Sequence, residues 1–195
     1  MQKNTKTLSI SAIIAIVAIA SVSLTTVDFS SQQTELETQE TIVQTISGSM
    51  PAYTLEELAS GTKYAIIGTV KQITPIAVES ERMQQTIFSD VVVKVKEDLN
   101  GLYDQKEISV RIQGGTIDNL QTISEPSAEF EVGEKVLFFV ADKEPDSMWG
   151  DNYYVAGGYL GKYKLDDNGN AHRDKINDSI GEQDLVSKIK KFRGN

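Results

Sequence analysis

No cysteine occurs anywhere in the chain, which excludes disulfides, thiolate metal sites and a lipid anchor carried on cysteine. Histidine is almost as scarce. The single one, His172, sits in the polar run Asn170-Ala171-His172-Arg173-Asp174. It has no second His or Cys to complete a zinc or copper site, and it reads as a surface residue. A Gly-x-Ser-x-Gly elbow and a phosphate-cradling glycine loop are also missing, so the sequence points away from covalent hydrolase chemistry and supplies no catalytic residues. Positive charge is in deficit, with 19 Lys and Arg against 28 Asp and Glu and a net charge of −9. That balance repels polyanions and argues against nucleic acid or acidic lipid as a partner; it equally suits a domain exposed to salt.

What is present begins with the N-terminus. Lys3 and Lys6 lead into an uncharged, mostly apolar run from Leu8 to Val27, ended by Asp28. A basic start, an apolar core and the small-residue site Ala18-Ile19-Ala20 make an export signal. The uncharged run also spans roughly 30 Å as a helix, enough to cross a bilayer core. Residues 1–27 are therefore a cleaved signal peptide or an outward-facing membrane anchor, and both place the remainder outside the cytoplasm. Residues 28–51 are Ser, Thr, Gln and Glu with scattered Ile and Val. They lack a sustained period and read as a disordered spacer.

Folded structure is expected over residues 52–195. Thr54 and Glu57 form a capping box, Tyr53 and Leu58 a hydrophobic staple, and Gly61 a left-handed stop, so Thr54 to Ser60 is an entry helix. Tyr64 to Val70 reads as a buried strand, and Ile87 to Lys96 as a half-buried one, with Val91, Val93 and Val95 on one face. Ile108, Val110 and Ile112 alternate in a third strand, after a turn at Asn100-Gly101. Val136 to Val140 is apolar on both faces, as in a central strand. Tyr153 to Leu165 continues the sheet, bending or bulging at Gly157, Gly158 and Gly161. Ser179 and Glu182 cap a closing helix whose stripe is Leu185, Ile189 and Phe192 and whose end carries Lys188, Lys190, Lys191 and Arg193. The fold class is mainly β: a small five-stranded antiparallel OB-like barrel with a short N-terminal helix and a C-terminal helix.

The order entry helix, Ala65 to Val70, Asp90 to Val95 with Leu99-Asn100-Gly101, Ile108 to Ile112 with Gly114-Gly115, and Phe130 to Phe139 with its Gly133-Glu134-Lys135 turn resembles exported prokaryotic netrin-type modules. These are similar to the N-terminal domain of the tissue inhibitors of metalloproteinases, an OB-type barrel. The resemblance implies the fold. It does not carry protease inhibition, because the animal inhibitors use an N-terminal cysteine and disulfides that this chain lacks.

Asp166-Asp167-Asn168-Gly169-Asn170 begins like a calcium loop, but its glycine falls at the fourth position and Asn177 stands at the twelfth, so it reads as a hairpin turn and no metal or other cofactor is assigned. Asn177-Asp178-Ser179 is a glycosylation sequon. Ligands of OB-type barrels meet the loops joining strands one to two and four to five, here Ile73 to Thr86 and Asp142 to Asn152. The second carries Met148 and Trp149 and leads into Tyr153 and Tyr154, which are the candidate binding residues. The expected function is a non-catalytic binding module of the cell envelope, with a protein or glycan as partner. The alternative is a structural cell-surface component in which Trp149 plugs one end of the barrel.

Overall fold

The computed structural model describes residues 40–79 and 85–194. The predicted leader and the first part of the predicted spacer lie outside them. The described chain forms β1 (Ile42–Ile46), α1 (Leu55–Gly61), β2 (Tyr64–Val78), β3 (Thr86–Asp98), β4 (Glu107–Gln113), β5 (Gly115–Ile117) and β6 (Leu120–Ser124). It continues through β7 (Lys135–Ala141), β8 (Tyr153–Val155), β9 (Lys162–Leu165), β10 (Asn170–Arg173), β11 (Asp178–Gly181) and α2 (Glu182–Phe192).

The protein is mainly β, and five of its strands close a ring. β2, β3 and β4 pair antiparallel in succession, and β7 returns to lie beside β2. That order is a Greek key. β8 closes the gap by pairing parallel to β4, with Val110 opposite Tyr153, and antiparallel to β7, with Val140 opposite Val155.

Two features differ from a simple five-stranded antiparallel barrel. The β4–β8 pair is parallel, and the ring is part of an eight-stranded sheet ordered β11-β10-β9-β7-β2-β3-β4-β8, accompanied by a three-stranded sheet ordered β1-β6-β5. The cause lies in the stretch expected to bend at its glycines. From Tyr153 to Leu165 the chain runs along one edge of β7, first as β8 and then as β9, broken by a 3-10 turn at Gly158–Gly161. Before the break it leans toward β4 and closes the ring; after it, the chain leads outward to β10. Gly157 and Gly158 have φ of 67° and 50°, and a Cβ on Gly161 would lie 1.8 Å from the Ala156 carbonyl oxygen. Only glycine fits such a corner.

β2 is longer than expected. Residues Ile73 to Val78, assigned to a loop, continue the strand as far as Val78, paired with β3 through Ile76 opposite Phe88. Pro75 is tolerated there because this half of β2 pairs only with β3 and leaves its other edge free of a ladder. β1 is a second correction: Ile42–Ile46 lies in the stretch read as disordered, yet it pairs in parallel with β6 from Ile42 opposite Leu120 to Ile46 opposite Ser124.

Alternation along β2 and β7 divides the interior in two. Tyr64, Ile66, Val70, Val136, Phe138 and Val140 point into the ring, where they meet Val91, Val93, Ile108 and Val110. Ala65, Ile67, Leu137 and Phe139 point outward and are covered by Leu58 and Ala59 of α1, Leu185 and Ile189 of α2, and Tyr163 and Leu165 of β9. The Thr54–Glu57 capping box is formed. Gly61 is not the left-handed stop: it ends the helix, and Thr62 follows with φ −113°, its hydroxyl donating to the Leu58 carbonyl. The predicted Ser179–Glu182 box is also absent. Ser179 pairs with His172 in the sheet, and α2 starts from Gly181 without a side-chain cap. The Glu182 N–H is taken instead by the Gly169 carbonyl.

Candidate binding pocket

The loop between β7 and β8 is folded back on itself. Glu144 pairs with Gly150, and Gly150 takes φ of 58°, turning Trp149 inward while Met148 stays 43% exposed. The indole stacks on Tyr154, with ring centroids 5.1 Å apart and 7° between planes, and meets buried Phe88 edge-on at 5.8 Å. Successive side chains of a strand face opposite ways. Tyr153 is accordingly on the other face of β8, edge-on to Tyr64 at 5.9 Å and beneath the Lys143 ammonium at 5.3 Å. The four predicted residues thus separate: Trp149 and Tyr154 form one pair, Tyr153 supports the ring, and Met148 projects from the loop.

Trp149 and Tyr154 wall a pocket of about 190 Å³ together with Met50, Tyr53 and Pro126. Met50 and Tyr53 come from the segment leading into α1. They reach the pocket because Gly157 and Gly158 carry no side chains: a Cβ on Gly158 would lie 2.9 Å from the Met50 sulfur, and one on Gly157 would lie 3.2 Å from the Tyr53 ring. Arg111, Gln113, Ser124 and Ser127 are the polar groups among the apolar walls. Arg111 is held by Asp90 through Nε and Nη2 at 2.8 and 3.0 Å. Gln113 accepts from Ser124 at 3.0 Å.

The Tyr154 hydroxyl donates to Glu144 at 2.5 Å. Burial, then that carboxylate, push its ionisation up to about 12. The raised value favours the neutral phenol in the folded state. Stability from this contact is whole below the ordinary tyrosine value of about 10 and is lost as pH rises toward the folded value. Burial also raises Tyr103, Tyr153 and Tyr163, so an alkaline titration followed by tyrosinate absorbance should show a late-ionising group of phenols whose last member disappears in Tyr154→Phe. Its persistence in that variant would assign it to another tyrosine.

A larger cleft of about 690 Å³ lies beside β6 and β9. At its base Lys162, only 2% exposed, donates to Glu134 and to Asp174 at 2.6 Å each and lies 5.4 Å from the Phe130 ring. Its ends come from a turn and from strand β9, far apart in the chain, so neither Gly133-Glu134-Lys135 nor Lys162-Tyr163-Lys164 signals the pair locally.

The Asp166 to Asn170 segment is the hairpin turn its Asn-Gly predicts. Asp166 accepts the backbone N–H groups of Asn168 and Asn170 and the His172 ring at 2.9 Å. The Asn170 backbone N–H, followed by His172, holds its carboxyl well below the usual range. His172 is 41% exposed at its side chain, and Asp167 turns outward to Lys135. Among the described residues no three metal-ligating side chains converge, and no helix is long and apolar enough to cross a membrane. The sequon residue Asn177 lies on the exposed turn between β10 and β11. Comparison with protein-family models, with curated proteins and with solved structures found no match.

Proposed function

We propose that the chain is exported by its N-terminal segment and that residues 52–195 act outside the cytoplasm as a non-catalytic interaction module on an OB-type barrel of the netrin-module kind. The closed Greek-key ring supports the barrel reading, since the OB fold is a five-stranded Greek-key barrel. The pocket walled by Trp149 and Tyr154 carries the functional reading. It is lined mostly by aromatic and aliphatic groups, with Arg111, Gln113, Ser124 and Ser127 as its polar members, the composition of a recognition pocket. Its volume suits one bulky side chain.

A protein partner is favoured over a glycan. A sugar stacks on open aromatic surface, whereas Tyr154 covers one face of Trp149 and Phe88 packs perpendicular against the same indole. Such an indole is a wall, suited to an apolar or aromatic anchor inserted beside it. The same packing favours the second reading, a structural surface component in which Trp149 closes one end of the ring over Phe88.

Because Trp149 is the only tryptophan, its indole N–H gives one unambiguous NMR signal. Titration with N-acetyl-phenylalaninamide is expected to move that signal with a Kd of about 0.5 mM, given about fifteen heavy atoms at ~0.3 kcal/mol each. Movement only with N-acetylglucosamine oligomers would transfer the assignment to glycans. A signal indifferent to both would sink the binding reading and leave the structural one.

A further inference from the structure

β1 is attached to the domain through β6, whereas β5 and β6, which likewise add no residue to either hydrophobic cluster, also pack against β3. In β1, Ile42 and Val43 are 59% and 52% exposed. What holds it is the parallel ladder to β6, flanked by the Ile42 N–H on the Asn119 carbonyl and the Glu125 N–H on the Ile46 carbonyl. Two side-chain bonds are added: Thr122 donates to Gln44 at 3.2 Å, and Asn119 donates to the Glu40 carbonyl at 3.3 Å. Of the apolar side chains of β1 only Ile46 is partly covered. Opening β1 therefore exchanges backbone hydrogen bonds for bonds to water, at a net cost of about 1 kcal/mol each or less.

The connection behind β1 is suited to such opening. Ser47, Gly48 and Ser49 are exposed, and Gly48 has nothing within 4 Å of its would-be Cβ. The next residue, Met50, is anchored over Gly158. The hinge thus separates a strand without core contacts from a segment fixed in the pocket.

We infer that β1 is an exchangeable strand, which leaves its own β6 and docks on β6 of a second copy of the chain, linking copies through swapped edges. The occupant is specified by the fold itself: each copy presents the same β6 edge, and Ile42 to Ile46 is already seen in register upon it. Exchange preserves every contact, so the balance is set by effective concentration, about millimolar for a short flexible connection. Dilute protein keeps β1 on its own domain, and crowded protein exchanges it. This inference rests on the docking of β1 and is independent of the Trp149 pocket.

The absence of cysteine makes the test direct. Thr45 and Ile123 are paired across β1 and β6, and both are exposed. The double variant Thr45→Cys/Ile123→Cys should form a disulfide within one chain when dilute. A mixture of the two single variants, equilibrated at about millimolar concentration and then oxidised, should give the mixed disulfide. The yield should rise with concentration and exceed clearly that of Thr45→Cys mixed with Lys188→Cys, a control on exposed α2. Deleting Gly48 and Ser49 should strain the closed form and make the protein dimeric at lower concentration by sedimentation. A mixed yield no higher than the control at every concentration overturns the inference. So does failure of the double variant to cross-link, or a shortened hinge that leaves a monomer.

Discussion

Replacing Lys162 by methionine is expected to destabilise the protein by about 3–5 kcal/mol, because it strips a buried carboxylate of its partner. Lys162 is 2% exposed and Glu134 8% exposed, and the two meet at 2.6 Å. Asp174, the other partner, has a side chain 35% exposed and remains hydrated when the ammonium is removed. Glu134 keeps only the more distant Lys164 ammonium, at 3.9 Å on the same oxygen, since its other oxygen accepts the Glu131 N–H and Phe130 lies beside the same ammonium of Lys162. A melting temperature lower by roughly 10 °C would accompany the loss. The double variant Glu134→Gln/Lys162→Met separates the pair's own worth from the penalty of an orphaned charge. Glutamine keeps an acceptor for Glu131 without the charge, and replacing both members of a buried pair is commonly close to neutral. The double variant should therefore recover most of the stability. Thermal and urea denaturation of the three proteins measure this, and a single variant melting with the wild type would show that Glu134 is not desolvated.

Asp98→Ala is the second large effect, expected at about 3 kcal/mol, since hydrogen bonds to a charged group are worth ~1.5–3 kcal/mol each and do not add. One carboxylate oxygen accepts the N–H groups of Ala65 and Asn100 at 3.1 and 3.3 Å, and the other those of Leu102 and Tyr103 at 2.9 and 3.0 Å. Ala65 is completely buried, so its N–H is left unmatched in the variant. The turn after β3 depends on the same residue, and through it the placement of Tyr103 edge-on to Tyr64 at 5.1 Å. Asp98→Asn should not rescue. All four neighbours are donors, and an amide would aim its own NH₂ at two of them. Denaturation midpoints of both variants test the claim; wild-type stability in Asp98→Asn would refute the four-donor account.

Legibility in the sequence followed burial. The strands with one wet face or two dry ones, β3, β4 and β7, announce themselves through Val91, Val93, Ile108, Val110 and the run from Val136 to Val140. β1 does not, because Ile-Val-Gln-Thr-Ile is mostly exposed and its pattern follows a ladder instead of a core. Ile73 to Val78 reads as loop because the sequence carries no sign that half of β2 has a free edge, on which Pro75 is tolerated. The parallel β4–β8 closure was equally hidden, being made by only two residue pairs. At the pocket, Trp149 and Tyr154 were readable as the only indole and a neighbouring aromatic. Met50 and Tyr53 were not, because they reach the site over two glycines that lie more than a hundred positions away. Asn100-Gly101 marks the turn after β3 in the sequence and Asp98 beside it carries no such signal, although its carboxylate ties the turn together.

The shared wall made by β2 and β7 limits what can be removed from this molecule. Trimming the chain after β9 to isolate the ring would strip α2 from Leu137 and Phe139, leaving fully buried side chains facing water. Removing α1 would bare Ala65 and Ile67 in the same way. The ring is therefore not a portable unit. What can be excised, fused to another protein or placed on a longer tether is the stretch from Met50 to Phe192 taken whole, while β1 can be shortened, replaced or omitted without opening either interior.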